Sequence, residues 1–198
     1  MPLIRTEGRE HLPADGAVIL ASNHLSFIDS VVIRLAAPRR VTFLAKAEYF
    51  TGRGLRGRLV RWFFTAVGSV PVPRGEHRAA QAALDTAREV LAGGNVFGIY
   101  PEGTRSLDGK LYRGRTGVGW LALSSGAPVV PVALDGTDRL QPVGKRMPRP
   151  HRVTVRFGRP LTFAGDAASA RDRRVVTDAV MRSIGDLSGQ ERADRFAA

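Results

Sequence analysis

Residues 17–36 read AVILASNHLSFIDSVVIRLA, and this stretch indicates the fold class. Its first residues are a continuous apolar run, which predicts a buried strand over 17–22. From Ser26 onward, apolar side chains recur at helical spacing and predict a helix over 26–37. A strand that leads directly into a helix is the unit from which α/β domains are built.

His24 and Asp29 stand at the junction of this predicted strand and helix, and their chemistry suits a base and its orienting partner. A carboxylate that binds one ring nitrogen fixes the tautomer and stabilises the imidazolium, and the other nitrogen can take a proton from a hydroxyl. A structural interpretation is also open, because Ser26-x-x-Asp29 resembles a capping box with Ser26 as the N-cap. A Ser/His/Asp hydrolase is disfavoured, since no Gly-x-Ser-x-Gly elbow surrounds Ser26.

The rest of the chain continues the alternation of strands and helices. Further strands are predicted over 41–45, 69–72, 95–100, 128–134 and 152–157, and further helices over 53–67, 77–92, 118–124 and 171–187. This order predicts an α/β fold, with a mixed, mostly parallel sheet flanked by helices. We expect one domain over residues 1–198, with a core at about 10–160, the terminal helix at 171–187 and a frayed tail at 188–198.

The composition limits the classes of function. The 198 residues are 43% apolar and include no cysteine, which excludes disulfides, thiolate catalysis and cysteine-bound zinc. The net charge of +12 indicates attraction to polyanions. No nucleic-acid-binding fingerprint is present, so we expect no nucleic-acid partner. No stretch reaches the roughly 18 to 20 apolar residues that span a bilayer, and the first residues lack a signal-peptide core.

A second polar motif, PEGTRS at 101–106, follows the predicted strand 95–100. Thr104 and the backbone amides of this turn can donate to an anion, and Arg105 can grip a phosphate with two parallel bonds. Glu102 is placed to pair with Arg105 and orient it. A plain turn with a surface ion pair is the alternative. Arg74 follows another predicted strand, so the two arginines are predicted to converge on one phosphate at a shared sheet edge.

Together these motifs resemble those of the lysophosphatidic acid acyltransferase family, which belongs to the glycerolipid acyltransferases. The matching segments are NHLSFID at 23–29, RG at 74–75, PEGTRS at 101–106 and VVPV at 129–132, and the resemblance covers about residues 10–160. It implies transfer of a fatty acyl group from acyl-CoA or acyl-carrier protein to the hydroxyl of a lysophospholipid, above all lysophosphatidic acid. It implies no metal and no cofactor beyond the thioester co-substrate.

The resemblance also implies a role for each matched residue. His24 is the general base and Asp29 its orienter, while the acceptor phosphate is held by Arg74, Glu102, Gly103, Thr104 and Arg105. The segment DGKLYRGRTG at 108–117 looks like the family's Asp-Gly-x-Leu-x-x-Phe-Lys-x-Gly, with Gly114 in place of the aromatic residue and Arg115 in place of the lysine. Arg115 keeps the positive charge and joins the phosphate set, whereas Gly114 changes the shape of the pocket.

Residues 53–64 combine arginines with bulky apolar side chains and predict a basic amphipathic helix. We therefore expect peripheral attachment to an anionic membrane surface, on its cytoplasmic face. A core-facing helix with a basic rim is the alternative. Two other functions stay open: acyl transfer to another lysolipid, and a catalytically idle module that binds lipid or acyl carrier. A basic nucleic-acid-binding domain would leave the histidine and glutamate motifs unexplained.

Overall fold

The computed structural model describes residues 3–46, 69–72, 76–142, 144, 147 and 149–197. The strands are β1 (Ile4–Glu7), β2 (Val18–Ser22), β3 (Val41–Lys46), β4 (Ser69–Val72), β5 (Val96–Ile99), β6 (Leu111–Tyr112), β7 (Val129–Asp135), β8 (Val153–Phe157) and β9 (Arg192–Ala193). The helices are α1 (Asp29–Ala36), α2 (Glu76–Ala92), α3 (Gly117–Ser125), α4 (Thr137–Leu140) and α5 (Ala170–Ser188).

Seven strands form one sheet in the order β4-β3-β5-β2-β7-β8-β1. Every neighbouring pair is parallel except β7 and β8, which are antiparallel. The predicted α/β fold with a mixed, mostly parallel sheet is confirmed. Because β2, β3, β4, β5 and β7 run in the same direction, their carboxyl ends lie along one edge, where sites in such sheets are built.

The central strand β2 is covered on both faces, which explains its continuous apolar sequence. Val18 and Leu20 pack into a cluster with apolar residues of α1 and β8. Ile19 and Ala21 point the other way, into a cluster with α3 and α5. Full burial of such side chains contributes about 1.5–3 kcal/mol each for the larger ones. The two clusters fix the position of β2 in the sheet. The residues that directly follow β2 are therefore held in place as well.

The entry to α1 differs from the prediction. The helix begins at Asp29, not at Ser26, and the Ser26 side chain does not cap it. Instead, the Ser26 hydroxyl donates to the carbonyl of Gln141 at 2.8 Å. The backbone amides of Leu25 and Ser26 donate to the Asp29 carboxylate, so the chain turns around that carboxylate before the helix starts. Half of the capping box is therefore confirmed, since the Asp29 carboxylate accepts the amide of Ser26, and the other half is wrong, since the Ser26 hydroxyl caps no amide of the helix.

The segment 189–197 also differs from the prediction. It was expected to fray, yet β9 pairs with β6 in parallel, outside the main sheet. Ala197 is buried. The sequence prediction also missed β1, whose four residues carry no apolar run. The predicted helix 53–67 lies outside the described residues. No helix in the described part of the chain is long and apolar enough to span a bilayer.

Candidate active site

His24 and Asp29 are in contact at the carboxyl end of β2. His24 Nδ1 lies 2.8 Å from Asp29 Oδ2. The same oxygen accepts the amides of Leu25 at 2.7 Å and Ser26 at 2.9 Å, so three donors converge on it. A carboxylate can only accept, which places the proton on Nδ1 and leaves the lone pair on Nε2. The imidazole therefore presents a basic nitrogen away from its buried partner.

The burial of the two groups suits different tasks. The Asp29 side chain is fully buried, whereas 19% of the His24 side chain is exposed. The carboxylate is thus shielded from water, and the ring reaches the surface. The pair has the features of a general base with its orienting group.

Tyr100, directly after β5, holds the imidazole ring in place. The rings of His24 and Tyr100 stack with centroids 3.9 Å apart and an interplanar angle of 10°. Phe43 of β3 lies against the far side of this arrangement, 5.5 Å from Tyr100. Burial, and then the charge of Asp29, raise the pKa of Tyr100 well above its ordinary value, so its hydroxyl stays neutral. The neutral Tyr100 ring therefore packs flat against the His24 imidazole.

Glu102 fixes the backbone of His24. Its Oε1 accepts the amide of His24 at 3.0 Å, and its Oε2 accepts the amide of Tyr112 at 2.9 Å. The carbonyl of His24 in turn accepts the amide of Ser106 at 2.8 Å. Burial raises the pKa of Glu102 from 4.5 to about 7, against the opposing effect of the two amides. This carboxylate joins the histidine segment, the 101–106 turn and β6.

The sequence hypothesis that Glu102 pairs with Arg105 is wrong, because both carboxylate oxygens bind backbone amides. Glu102 is fully buried and faces no solvent from which a phosphate would arrive. Its position makes it a support for the turn. In the described part of the chain, the side chains of Thr104 and Arg105 have neither a hydrogen bond nor an ion pair, so their donors are available.

Arg115 lies beside the 101–106 turn that carries Arg105. Its amide donates to the carbonyl of Pro101 at 2.7 Å. Its side chain runs across Gly103, where an added Cβ would sit 3.0 Å from Arg115 Cδ and Nε. Gly103 also has a φ of 78°, a conformation that side chains disfavour. Glycine is therefore required here, and it lets the arginine stem cross the backbone closely.

Gly114, where the family pattern has an aromatic residue, is the point at which α5 packs onto this loop. A Cβ there would lie 2.8 Å from Met181 Cγ and 3.0 Å from Thr177 Cγ2. Arg174 of α5 donates to the carbonyl of Gly114 at 2.8 Å. The close approach of the helix leaves no room for a side chain at position 114.

Arg74 lies outside the described residues, two positions past the end of β4. That strand ends at the same sheet edge as β2, with β3 and β5 between them. The convergence of Arg74 and Arg105 stays a prediction. Among the described residues, no group of three or more His, Asp or Glu side chains is arranged to hold a metal ion.

Asn23 links the site to β7 and was given no role by the sequence reasoning. Its Oδ1 accepts the amide of Leu134 at 2.8 Å, and its Nδ2 donates to the carbonyl of Leu134 at 3.0 Å. The side-chain amide thus continues the β2–β7 ladder past the end of β2. Its position within the NHLSFID motif was the available signal. For Tyr100, the signal was an aromatic residue directly before PEGTRS.

Comparisons with known proteins show the family of this chain. The family model described as Acyltransferase matches residues 3–135. A 1-acyl-sn-glycerol-3-phosphate acyltransferase from Chlamydomonas reinhardtii is 35% identical over 150 residues, which are 75% of this chain and 43% of that protein. The Bacillus subtilis protein of the same name is 26% identical over 191 residues, which are 94% of this chain and 89% of that protein.

A solved structure shows the same fold. The crystal structure of the 1-acyl-sn-glycerophosphate (LPA) acyltransferase PlsC from Thermotoga maritima has a TM-score of 0.71 and 31% sequence identity, over 93% of this chain and 71% of that one. Two of the relatives are much longer than this chain, which spans 43% of the Chlamydomonas protein and 38% of the chloroplastic LPAT1 from Arabidopsis thaliana.

Proposed function

The chain belongs to the acyltransferase family, and from that premise we propose that it moves a fatty acyl group from a thioester to the free hydroxyl of lysophosphatidic acid. The donor in this proposal is acyl-CoA or acyl-carrier protein, and no further cofactor takes part. The observation that carries the proposal is the bond between His24 Nδ1 and Asp29 Oδ2, which leaves Nε2 basic. The names of the related proteins support lysophosphatidic acid as the acceptor.

The reaction begins with proton transfer from the acceptor hydroxyl to Nε2 of His24. The oxygen forms a bond to the thioester carbonyl carbon, and the carbon–sulfur bond then breaks. The departing thiolate takes the proton from the imidazolium, so the products are an ester and a thiol. Asp29 stabilises the imidazolium while it exists. A positioned base typically contributes about 10²- to 10⁴-fold to such a rate.

The acceptor phosphate is held, in this proposal, by Thr104, Arg105 and Arg115, together with Arg74 from the neighbouring strand end. Arginine binds phosphate oxygens through two parallel N–H bonds, which fixes orientation as well as charge. Gly103 gives the turn its shape, and Glu102 ties the turn to the backbone of His24. Phosphate binding therefore sets the distance between the acceptor hydroxyl and the base.

The site meets its lipid substrate at a membrane surface. The net charge of +12 favours an anionic bilayer, and the basic amphipathic segment 53–64 is the proposed point of attachment, on the cytoplasmic face. Attachment of this kind is peripheral, and raising the ionic strength would weaken it because salt screens the attraction.

Product analysis tests the proposal. Purified protein is incubated with acyl-CoA, or with acyl-carrier protein carrying the same chain, and with a panel of lysolipids, and the products are identified by mass spectrometry. We expect phosphatidic acid from lysophosphatidic acid. Transfer only to lysolipids that lack a phosphate monoester would overturn the acceptor. Binding of donor and acceptor without any product would favour the idle lipid-binding module.

A further inference from the structure

The segment 189–197 lies alongside the loop that carries the proposed phosphate ligands. The amide of Leu111 donates to the carbonyl of Glu191, and the amide of Arg113 donates to the carbonyl of Arg195, each at 2.9 Å. Lys110 also forms an ion pair with Glu191. These contacts fix the segment along the loop residues directly before Arg115. The segment lies beyond residue 135, where the match to the family model ends.

Gln190 ties the same segment to the base. Its Oε1 accepts from Asn23 Nδ2 at 2.8 Å, and its Nε2 donates to the carbonyl of Gly109 at 2.7 Å. Asn23 is the residue before His24, and Gly109 lies two residues before β6. One side-chain amide thus connects the two halves of the candidate site. The position of segment 189–197 is therefore set relative to both the base and the loop.

Phe196 lies against Arg115. The guanidinium carbon of Arg115 is 5.5 Å from the centre of the Phe196 ring, and that of Arg113 is also 5.5 Å from it. The stem of Arg115 meanwhile runs across Gly103. Neither guanidinium has an ion-pair partner among the described residues. Both cations therefore keep their donors available for an anion that reaches this ring.

We propose that Phe196 is a positioning residue that holds Arg115, beside Arg113, ready for the dianionic phosphate monoester of the acceptor. The inference rests on the proposed function in one respect, since it takes Arg115 as a phosphate ligand. An arginine side chain loses rotamer freedom when it binds. A ring that already restricts it reduces that loss, and the attraction between ring and cation adds to the effect.

The two guanidiniums also predict selectivity for an acceptor whose headgroup carries two negative charges. A neutral headgroup leaves both guanidinium charges without compensation and a singly charged one leaves one of them, whereas a phosphate monoester, which carries up to two charges near neutral pH, can compensate both. Phe196 is therefore expected to affect binding of the phosphate and not the proton transfer at His24. Its side chain is 46% exposed, so its removal takes little from the apolar core.

Equilibrium binding tests the inference without relying on turnover. Lysophosphatidic acid and the matching monoacylglycerol, which lacks the phosphate, are titrated into the full chain by calorimetry. For Phe196→Ala we expect the Kd for lysophosphatidic acid to rise about threefold to tenfold, the effect of immobilising one flexible side chain. The Kd for monoacylglycerol should not change. Phe196→Trp should restore binding, and Val175→Ala, at another exposed apolar residue, should have no effect.

Kinetics give a second readout in which KM for the acceptor rises in Phe196→Ala while kcat is kept. Unchanged or tighter binding of lysophosphatidic acid would overturn the inference, and so would an equal loss for both lipids or no binding by the unmodified chain. The proposed function is judged separately, by acyl transfer in the unmodified protein. If that protein transfers nothing but loses phosphate-dependent binding in Phe196→Ala, the proposed function fails and the positioning role stands.

Discussion

The buried carboxyl of Glu102 makes the free energy of unfolding depend on pH in a way that can be calculated. Its pKa is about 7 in the folded chain and 4.5 in its ordinary environment. Between these values the folded chain binds a proton that the unfolded chain has released, so stability falls as the pH rises. At about 1.36 kcal/mol per pKa unit, this group removes about 3 kcal/mol of stability between pH 4 and pH 8.

Glu102→Gln removes this dependence, because the amide does not titrate. Protonated Glu102 keeps acceptor capacity on both of its oxygens, whereas glutamine has an NH2 group in place of one of them. One of the amides of His24 and Tyr112 therefore loses its partner, at a cost of about 1–3 kcal/mol. The variant should therefore be the less stable protein at pH 4. Relative to the unmodified chain, it should gain about 3 kcal/mol by pH 8.

Urea unfolding followed by circular dichroism at pH 4, 6 and 8 measures this difference. Glu89→Gln, at an exposed carboxylate of α2, serves as the matched control and should show no such trend. A difference between Glu102→Gln and the unmodified chain that stays constant from pH 4 to pH 8 would contradict this prediction. It would mean that the folded chain stabilises the charged form of Glu102 as well as the unfolded chain does.

Three further substitutions test the site and its support. Asp29→Asn should lower the single-turnover transfer rate by about 10²- to 10⁴-fold with the fold kept by circular dichroism, and a loss under threefold would contradict the orienting role. Gly103→Ala should cost about 1–2 kcal/mol in urea unfolding and raise KM for the acceptor, because its Cβ meets Arg115; unchanged values for both would contradict this. Gly114→Ala should cost about 1–3 kcal/mol through overpacking against Met181, and an unchanged Tm would count against that close approach.

The sequence was sufficient to predict the sheet class and the contact between His24 and Asp29. Both are local: the apolar run of β2 indicates its burial, and the two side chains are five positions apart, across one turn. The start of α1 was predicted wrongly, since a capping pattern does not reveal that the serine hydroxyl has a distant partner. Here the Asp29 carboxylate binds the amides of Leu25 and Ser26, and the Ser26 hydroxyl binds Gln141.

The contacts that the sequence did not reveal join residues far apart in the chain. Glu102 was expected to find a partner three positions away and instead binds the amide of His24, 78 positions away. Gln190 reaches Asn23 across 167 positions. No periodicity or motif encodes such pairs, because each depends on how two separate segments pack. For the same reason, segment 189–197 gave no signal of the role now proposed for Phe196.

We have proposed His24 as the base of an acyl transfer, and single-turnover transfer from acyl-CoA to lysophosphatidic acid by His24→Ala measures that role. His151→Ala, at a histidine outside the site, is the matched control. We expect the His24 variant to keep its fold and its donor binding and to lose about 10²- to 10⁴-fold in rate, while the control transfers normally. Transfer by His24→Ala at the rate of the unmodified protein would contradict the claim.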